Sequence, residues 1–515
     1  MNSRLERTLE ALPQRYGGPG GAVAVVRDGE LLDWRVWGFA NAERRIPFTR
    51  KTLFRMCSIT KQFTCALVLD AFPDPSVRDD DVRTFLPQLE EPPPTVRHLC
   101  HNQSGLRDYW AVAMLYGAHP EQPFGKHDAT RIIGGTRTLQ FAPGTRFSYC
   151  NGNFVLLSDI LERRTDLEFG ELLRTRIFDR VGMESAMLAA DTRAMPDGTD
   201  GYEGTQTAGY RAAENRIIWT GDAGLGASLD DMIAWERHID ATRDDANALY
   251  TRLSAPVTFD DGRPATYGFG LSRQSVFGRH ITGHGGALRG WSSFRLYSPA
   301  DRVSVVVAFN HMSDARAAAM DLLAAVVDAD APPRPPVGAT PRWAGAYIEP
   351  ETRLATRIDL VADGVRLRYG TRPEVLDYRE SGAGRDDDVR LRAEGERLRM
   401  DRPSDNQTSQ LEPCAPGRPT DLAGRYRCEE LDAEIAVSGD ENAAYGAFSG
   451  FLGNGRMELL EPIGADAVAF PCPRALDHAA PGDWTLIVHR DAGGSVVGLD
   501  VGCWLARRLH YRRIG

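Results

Sequence analysis

The stretch that organises this chain runs Arg55-Met56-Cys57-Ser58-Ile59-Thr60-Lys61-Gln62-Phe63-Thr64-Cys65-Ala66-Leu67-Val68-Leu69. It places a serine three residues before a lysine, at the head of an apolar run. If the run is helical, this spacing puts Ser58 and Lys61 on one face, where hydroxyl and amine can meet. A serine hydroxyl is a weak nucleophile until a base takes its proton, and burial turns a lysine into such a base. The pattern therefore predicts Ser58 as a nucleophile and Lys61 as its base.

The rarity of lysine supports this prediction. Only Lys51, Lys61 and Lys126 are lysines among 61 basic residues, and the others are arginine. Because arginine does not give up its proton, a lysine kept in such a chain is expected where arginine would fail. The alternative interpretation is a serine helix cap followed by a surface lysine, and S-x-x-K alone does not decide between the two.

Length and composition limit the function classes. A chain of 515 residues predicts about three domains, and 42% hydrophobic with 26% charged residues is ordinary for globular protein. The net charge of −10 argues against nucleic acid or an anionic membrane as a partner. The N-terminus lacks an apolar signal region, no run is long enough to span a bilayer, and the eight cysteines are scattered. These features predict a cytoplasmic protein with free thiols.

The first 330 residues read as one α/β domain. Residues 21–41 alternate around Asp28-Gly29, which predicts a β-hairpin before the serine helix. Residues 294–310 form two strand-like runs, and an Ala/Leu-rich helix follows at 315–327. Strands at both ends with helices between them predict a single sheet in which the two ends meet.

The remainder of the chain is all β in character. A Pro-rich stretch at residues 328–336 marks a boundary, and short alternating strands follow it. The segment Trp343-Ala344-Gly345-Ala346-Tyr347 recurs as Leu422-Ala423-Gly424-Arg425-Tyr426. This echo predicts two small antiparallel β-barrel domains, at residues 338–413 and 419–515, after a catalytic domain at residues 1–330.

Two further motifs accompany the serine. Tyr149 and Asn151 lie two residues apart at the entrance to a predicted helix, and His284 precedes two glycines and a strand-like run. Tyr149 can share a proton with Lys61 and pass it to a leaving amine, while Asn151 can bind a substrate amide. A strand edge after the glycines can offer an N–H to an oxyanion.

With these motifs the chain resembles the serine β-lactamase and penicillin-binding peptidase superfamily, in its class C-like group with S-x-x-K, Y-x-N and H-x-G. Residues 97–106 and 224–232 also resemble segments of that group, in the family's order. The resemblance implies a β-lactamase/DD-peptidase-like fold of antiparallel sheet plus helices over residues 1–330.

The H-G-G third motif and two appended barrels resemble the bacterial D-stereospecific aminopeptidases. That resemblance implies removal of an unblocked N-terminal D-residue from peptides, amides or esters through an acyl-enzyme. It assigns the following roles: nucleophile Ser58, base Lys61, proton shuttle Tyr149, substrate ligand Asn151, third-motif residue His284, and an oxyanion hole from the N–H groups of Ser58 and Ala287.

Recognition of a substrate ammonium requires a carboxylate. Many β-lactamases carry K-T-G at the third motif, whereas His284 is mostly uncharged at neutral pH and so attracts a substrate carboxylate less. Aminopeptidases of this kind insert a loop from the last barrel into the active site, and residues 470–484 match such a loop. We expect Asp477 to bind the ammonium, with Asp483 in reserve; the alternative is that both are solvated acids on a surface loop.

Two other functions remain open at this stage: an esterase or penicillin hydrolase on the same fold, and a non-catalytic scaffold. The expected partners are small D-amino-acid peptides, amides or esters, with β-lactams as candidate inhibitors and a homodimer as candidate assembly. No cofactor or metal is expected, because His98, Cys100 and His101 lack a second ligand pair at metal spacing.

Overall fold

An eight-stranded antiparallel sheet forms the centre of the first half of the chain. It belongs to a computed structural model that describes residues 3–330, 343–362, 364–379, 382–385, 388–440, 442–478 and 481–515. The strand order across the sheet is Tyr267–Gly268, Leu271–Val276, Arg279–Leu288, Trp291–Ser298, Val303–Phe309, Gly20–Arg27, Glu30–Asn41 and Ile46–Pro47. Gly20–Arg27 pairs with Glu30–Asn41 across the Asp28-Gly29 turn and with Val303–Phe309 on its other side. The prediction that the two ends of this domain share one sheet is confirmed.

Helices cover both faces of this sheet. Side chains alternate along Gly20–Arg27, so Val23 and Val25 enter one apolar core while Ala22 and Ala24 enter the other. Ser3–Arg15 and Ala315–Val326 pack on the first face. The remaining helices of this half are Thr60–Ala71, Asp79–Phe85, Val96–Cys100, Tyr109–Leu115, Lys126–Gly134, Asn151–Thr165, Phe169–Leu173, Asp179–Val181, Leu229–Ala241 and Leu249–Leu253.

The helix Thr60–Ala71 lies inside the domain. Its residues from Thr60 to Leu69 are all buried, as expected for a helix that is apolar around most of its circumference. It packs against Asn151–Thr165, and Phe54–Arg55, just before it, pairs with Leu225–Ala227. The smaller strands of this half are Met187–Leu188, Tyr202–Thr205, Gly209–Ala212, Val257–Thr258 and Pro264–Ala265. The burial of the helix Thr60–Ala71 removes Lys61 from water.

The first C-terminal unit is an antiparallel barrel, as predicted, and it closes with eight strands. Its strands are Gly345–Glu349, Leu354–Val361, Gly364–Arg368, Glu374–Arg379, Gly382–Arg385, Val389–Glu394, Arg397–Arg402 and Gln407–Pro413. Residues 331–342, which include most of the predicted Pro-rich boundary and the predicted start of this domain, lie outside the described residues, as does Asp363 of a predicted turn.

The second C-terminal unit is a strongly curled sheet, a half-barrel. Its strands are Gly424–Cys428, Ala433–Gly439, Ala444–Gly450, Gly453–Asn454, Glu458–Leu459, Glu461–Gly464, Ala467–Phe470, Trp484–Arg490, Val496–Cys503 and Ala506–Arg513. The chain passes from Glu458–Leu459, paired near one edge, directly to Glu461–Gly464 at the other edge. The register of Glu461–Gly464 against Ala467–Phe470 shifts between Pro462 and Gly464, and a proline has no N–H to donate to a ladder.

The internal echo has the same geometry in both units. The hydroxyl of Tyr347 donates to the carbonyl of Trp343 at 2.9 Å, and that of Tyr426 donates to the carbonyl of Leu422 at 2.7 Å. Each tyrosine therefore closes the start of its unit in the same way. We propose domain limits of 1–330, 338–413 and 419–515, since each described sheet lies within one of these ranges. Among the described residues, no helix has the length and apolar character needed to cross a bilayer.

Candidate active site

The candidate nucleophile Ser58 lies on a tight turn that leads into the buried helix. Cys57–Ile59 form one 3₁₀ turn, and the α-helix begins at Thr60. Cys57 has a φ of 50°, a left-handed conformation that costs a non-glycine residue about 1–2 kcal/mol. The N–H of Met56 donates to the carbonyl of Leu225 at 2.9 Å. This contact holds the turn, so that Ser58 lies just before the N-terminus of the helix, the end at which the helix dipole favours an anion.

Lys61 lies directly beside Ser58. Its Nζ is 3.0 Å from Ser58 Oγ, 2.8 Å from Asn151 Oδ1 and 2.7 Å from the carbonyl oxygen of Asp222. The amide and carbonyl oxygens only accept hydrogen bonds, so they take two N–H groups and leave the third position of Nζ toward the hydroxyl. A neutral amine has two N–H groups and one lone pair. The surroundings of Lys61 therefore fit an amine whose lone pair faces Ser58.

The protonation of Lys61 is set mainly by its burial. Burial lowers the pKa of Lys61 to about 8, while the nearby carboxyls of Asp222, Asp108 and Asp477 oppose that fall. In contrast, burial raises the pKa of Tyr149 above its ordinary value, although a side-chain hydrogen bond with Ser58 acts against the rise. Lys61 can therefore be neutral near pH 8, whereas Tyr149 keeps its proton. This difference favours Lys61 as the base and Tyr149 as the donor.

Tyr149 lies close to Lys61 and to His284. Its ring centroid is 4.9 Å from Lys61 Nζ, and its ring lies 6.1 Å from that of His284. Residues Phe147 and Tyr149 belong to the extended segment that leads into the helix Asn151–Thr165. The structure thus brings the first two motifs together around one hydroxyl.

Asn151 is oriented by an acid that sequence analysis did not identify. Asp108 Oδ2 accepts hydrogen bonds from the backbone N of Asn151 at 2.6 Å and from its Nδ2 at 2.9 Å. Because the amide nitrogen must face this carboxylate, Oδ1 must face Lys61. In this structure Asn151 thus orients the base; its predicted role as a substrate ligand depends on the second N–H of Nδ2.

His284 is held as a neutral ring on the strand Arg279–Leu288. Its Nδ1 lies 2.6 Å from the carbonyl oxygen of Gly285, which can only accept, so Nδ1 carries the proton. Its Nε2 then accepts from the hydroxyl of Tyr267 at 3.0 Å. Burial lowers the pKa of His284 to about 3. The third motif therefore supplies no cation at neutral pH.

The same strand passes directly alongside the nucleophile turn. A Cβ at Gly286 would lie 2.1 Å from the carbonyl oxygen of Met56, so only glycine permits this approach. Ser293 Oγ donates to the same carbonyl at 3.1 Å. Ala287 is the next residue and pairs with Ser292 on the neighbouring strand. The role of its backbone N–H as an oxyanion donor, together with the N–H of Ser58, stays a prediction.

The segment 470–484 reaches this site. Asp477 lines a cavity of about 260 Å³ together with Tyr149 and Asn151. Within the described residues its Oδ1 is buried without a hydrogen-bond partner. Burial is the main cause that raises the pKa of Asp477 to about 7, and Asp108 adds to the rise. An unpartnered buried carboxylate oxygen is costly, which indicates a site for a cationic group.

Arg289 anchors this segment. Its backbone N donates to the carbonyl of Asp477 at 3.1 Å, and its Nη2 donates to the carbonyl of Leu476 at 2.7 Å. Asp483, the reserve candidate, is elsewhere: it pairs with Arg357 of the first barrel and is 41% exposed at its side chain. Of the two acids, only Asp477 is among the residues lining the cavity with Tyr149. Residues 479 and 480 of this segment lie outside the described residues.

Comparison with known proteins places the chain among characterised families. A beta-lactamase family model matches residues 5–329, and a model of D-aminopeptidase domain B matches residues 336–512. The chain belongs to the beta-lactamase family. The curated D-aminopeptidase of Gluconobacter oxydans (strain 621H) is 57% identical over 522 residues, covering 100% of this chain and 99% of that protein. That of Cereibacter sphaeroides (strain ATCC 17029 / ATH 2.4.9) is 47% identical over 514 residues and covers 99% of each chain.

A solved structure also has the fold of this beta-lactamase family member over its whole length. The octameric penicillin-binding protein homologue from Pyrococcus abyssi superposes with a TM-score of 0.52 at 18% identity, covering 99% of each chain. The sequence resemblance to D-stereospecific aminopeptidases of the beta-lactamase family is confirmed by the two domain models and the full-length relatives. The predicted roles of the individual side chains stay predictions.

The described cluster of histidine and carboxylate groups of the kind that can bind a metal lies away from the candidate site of this beta-lactamase family member. His98 faces Asp260 at 3.6 Å, while His101 is buried against Phe269, so neither joins a ligand cluster among the described residues. A different group, His489, Asp500 and His510, brings three ligand-type atoms within 4.8 Å of one another on the half-barrel. The guanidinium of Arg353 lies 3.5 Å from Asp500 and would compete with a cation there.

Proposed function

We propose that this protein is a D-aminopeptidase that removes an unblocked N-terminal D-residue from short peptides, amides or esters through an acyl-enzyme on Ser58. The observation that carries the proposal is the position of Asp477. Its unpartnered, buried oxygen lies in the same cavity as Tyr149 and Asn151, which meet the Ser58–Lys61 pair. A substrate ammonium bound there would bring its own carbonyl within reach of the nucleophile.

Acylation follows from the hydrogen bonds around Ser58. Neutral Lys61 takes the proton of Ser58 as Oγ forms a bond to the substrate carbonyl carbon. The resulting oxyanion accepts hydrogen bonds from the backbone N–H groups of Ser58 and Ala287. Tyr149 then donates its proton to the leaving amine as the C–N bond breaks, and the proton on Lys61 replaces the one that Tyr149 has given up.

Deacylation uses the same groups in reverse. A water molecule enters where the amine has left, and the Lys61–Tyr149 pair takes one of its protons while the hydroxide attacks the ester carbonyl. The tetrahedral intermediate collapses, and the ester bond to Ser58 breaks. Ser58 Oγ recovers a proton from the pair, and the free D-amino acid departs.

Selection for the D-configuration follows from two fixed points. The ammonium is held by Asp477 and the carbonyl by Ser58, so the remaining two groups on the substrate Cα, the side chain and the hydrogen, have defined positions. In the L-enantiomer these two groups exchange places. The L side chain would therefore need space where the D-substrate has only a hydrogen, in a cavity whose lining includes Trp110 and Trp504. Such a clash raises the barrier for the L-substrate, because an ångström-scale misplacement of the carbonyl is enough to slow attack.

A panel of small substrates tests this function. We expect release of D-alanine from D-alanine amide and from its methyl ester, at least about a hundredfold slower cleavage of L-alanine amide, and no cleavage of N-acetyl-D-alanine amide. Equal rates on the D- and L-amides would refute the stereospecific proposal. A mass increase of one acyl group on the wild-type chain, absent from Ser58→Ala, checks the acyl-enzyme and excludes a non-catalytic scaffold. A β-lactam in the same panel tests the penicillin hydrolase alternative.

We also propose a cytoplasmic location and a homodimeric assembly, with β-lactams as candidate inhibitors. All eight cysteines are free, which supports a reducing compartment. Light scattering on the full chain gives the assembly directly, and time-dependent loss of amidase activity with benzylpenicillin would identify β-lactams as inhibitors.

A further inference from the structure

The active-site cavity carries one arginine from the first barrel. Thr371 and Arg372 line the cavity next to Asp477, between the strands Gly364–Arg368 and Glu374–Arg379. Two carboxylates, Asp108 and Asp477, also line it. The cavity therefore has charges of both signs, and a bound substrate meets both.

Arg372 differs from its neighbours because it has no acid partner among the residues that the structure describes. In the part of the chain that the structure describes, it makes no hydrogen bond and no ion pair, and it is exposed. Other arginines of the same barrel do have acid partners within 4.0 Å: Arg357, Arg366, Arg368, Arg399 and Arg402. A guanidinium offers a planar fork of donors that matches a carboxylate, so an unpaired one at a binding cavity is a candidate anion site.

The segment that carries Arg372 is held against the substrate loop. A Cβ at Gly482 would lie 2.9 Å from the carbonyl oxygen of Gly370, and Pro481 and Thr371 both line the cavity. The charge of Arg372 also acts on His478, the neighbour of Asp477: after burial, it is the next cause that lowers the pKa of His478 to about 4. Arg372 and Asp477 therefore face one binding space from two different domains.

Neither His284 nor Lys61 is available to bind a carboxylate of the substrate, which leaves Arg372. His284 on the strand beside the nucleophile is neutral, since both ring nitrogens are engaged and burial lowers its pKa to about 3. Lys61 is committed to Ser58, Asn151 and Asp222. Among the described residues, Arg372 is thus the cationic side chain of the cavity lining that has no other partner.

We propose that Arg372 binds the C-terminal carboxylate of the leaving group, so that the preferred substrates are short zwitterionic peptides with a free D-amino terminus and a free carboxylate. This rests on the proposed function and names its substrate class. A cavity of about 260 Å³ is smaller than the 300–1,000 Å³ usual for ligand sites, which suits a peptide of two or three residues. Asp477 takes the ammonium, Ser58 attacks between the two charged ends, and Arg372 takes the carboxylate.

The test compares two substrates that differ only in the terminal charge, D-alanylglycine and D-alanylglycine amide, with release of D-alanine as the readout. For the wild-type chain we expect a KM about tenfold lower for the dipeptide, because Arg372 is exposed and its charge is partly screened. Arg372→Gln should raise the KM of the dipeptide about tenfold and change that of the amide less than twofold. Arg372→Lys keeps the charge but not the fork, so it should retain part of the preference.

Arg368→Gln is the matched control, because it removes the same charge from the same barrel at a residue already paired with Asp359 at 3.0 Å. It should leave the ratio of the two KM values unchanged. The proposal is refuted if Arg372→Gln alters both KM values by the same factor or alters neither. If the wild-type chain releases D-alanine from D-alanine amide but shows no preference for the dipeptide over its amide, this inference alone is refuted. If it cleaves neither D-alanine amide nor the dipeptide, the proposed function is refuted. Thermal melting of Arg372→Gln checks that the fold is intact.

Discussion

The backbone N–H of Arg289 donates a 3.1 Å hydrogen bond to the carbonyl oxygen of Asp477. Arg289 directly follows the strand Arg279–Leu288, which carries the proposed oxyanion donor Ala287, and Asp477 comes from the last domain of the chain. The two sites that a substrate must reach at once, one for its carbonyl and one for its ammonium, are thus joined by main chain and not only by side chains. Their spacing is fixed before a substrate arrives, which favours rapid attack on a molecule of the right length.

Asp477→Asn should selectively weaken recognition of the substrate amine. An amide keeps the shape of the carboxylate but not its charge, so kcat/KM for D-alanine amide is expected to fall about 10- to 150-fold, the value of one charge-assisted hydrogen bond. Asp483→Asn is the matched control in the same segment and should change kcat/KM less than twofold, since Asp483 pairs with Arg357 outside the site. Steady-state kinetics of the two variants side by side gives the answer. A larger loss of kcat/KM in Asp483→Asn than in Asp477→Asn would show that Asp483, and not Asp477, binds the amine.

Lys61→Arg should greatly slow turnover while keeping the positive charge. Arginine does not release its proton, and loss of a general base typically costs about 10²- to 10⁴-fold in rate. We expect kcat on D-alanine amide to fall by that factor. Lys126→Arg, which keeps an exposed pair with Asp159 and Glu162, serves as the control and should be fully active. Wild-type turnover in Lys61→Arg would rule out a neutral amine as the base.

The main features of the fold and of the catalytic pair could be predicted because their signals are local. The spacing of Ser58 and Lys61, the Asp28-Gly29 turn and the repeated tyrosine of the two C-terminal units all depend on neighbours within a few residues. Periodicity and turn chemistry report such neighbours directly.

Other parts of the site could not be predicted because their partners are distant in sequence. Asp108 meets Asn151 across 43 positions, and the only local signal at Asp108 is that of a helix cap. The group of Asp222 that contacts Lys61 is a backbone carbonyl, which every residue type has. The open edge of the half-barrel depends on which strands pair across the whole sheet, and those partners are distant in sequence.

The pH profile should report two groups on its acid side. Lys61, with a pKa lowered to about 8, must lose its proton to act as base, and Asp477, with a pKa raised to about 7, must lose its proton to hold the amine. Both changes raise activity as pH increases. The substrate amine, with an ordinary pKa of about 8, must stay protonated, so kcat/KM should fall again in alkali. We expect a bell with its maximum near pH 8, where the titrations of Lys61 and of the substrate amine cross.

The acid limb of that bell separates the two groups. Below pH 7 the logarithm of kcat/KM should rise with a slope near two in the wild-type chain and near one in Asp477→Asn, where only Lys61 still titrates. Assays of both chains at constant ionic strength measure the slopes. A wild-type profile that is flat from pH 6 to 9 would contradict the assignment of Lys61 as the base.

Asp108→Asn should reduce both activity and stability. The carboxylate of Asp108 accepts from Asn151 through Oδ2 and from the backbone N of Trp110 and Ala111 through Oδ1, so an amide cannot satisfy all of these donors. We expect kcat to fall about 10- to 100-fold and the free energy of unfolding to fall by about 1–3 kcal/mol. Kinetics and urea denaturation measure the two effects.

Asp314→Asn is the control for this prediction. Asp314 caps the helix Ala315–Val326 by accepting from the backbone N of Ala317, and it is exposed and remote from the cavity lining. Asparagine is as good a cap as aspartate, so both kcat and stability should stay near wild type. If Asp108→Asn lost stability but kept its kcat, Asp108 would be a helix cap only, without a role in positioning Asn151.

Gly286→Ala should separate the third-motif strand from the nucleophile turn. The added Cβ would lie 2.1 Å from the carbonyl oxygen of Met56 and 2.5 Å from Ser293 Oγ, and the first of these is backbone that cannot rotate away. We expect kcat to fall more than about a hundredfold, since an ångström of displacement at the nucleophile is enough for such a loss. Gly285→Ala is the adjacent control: its Cβ would meet the ring of Phe294 at 3.2 Å, a contact that a small shift of one side chain relieves, so its kcat should stay within about tenfold. Equal activity in the two variants would show that the close approach of the strand is not needed for turnover.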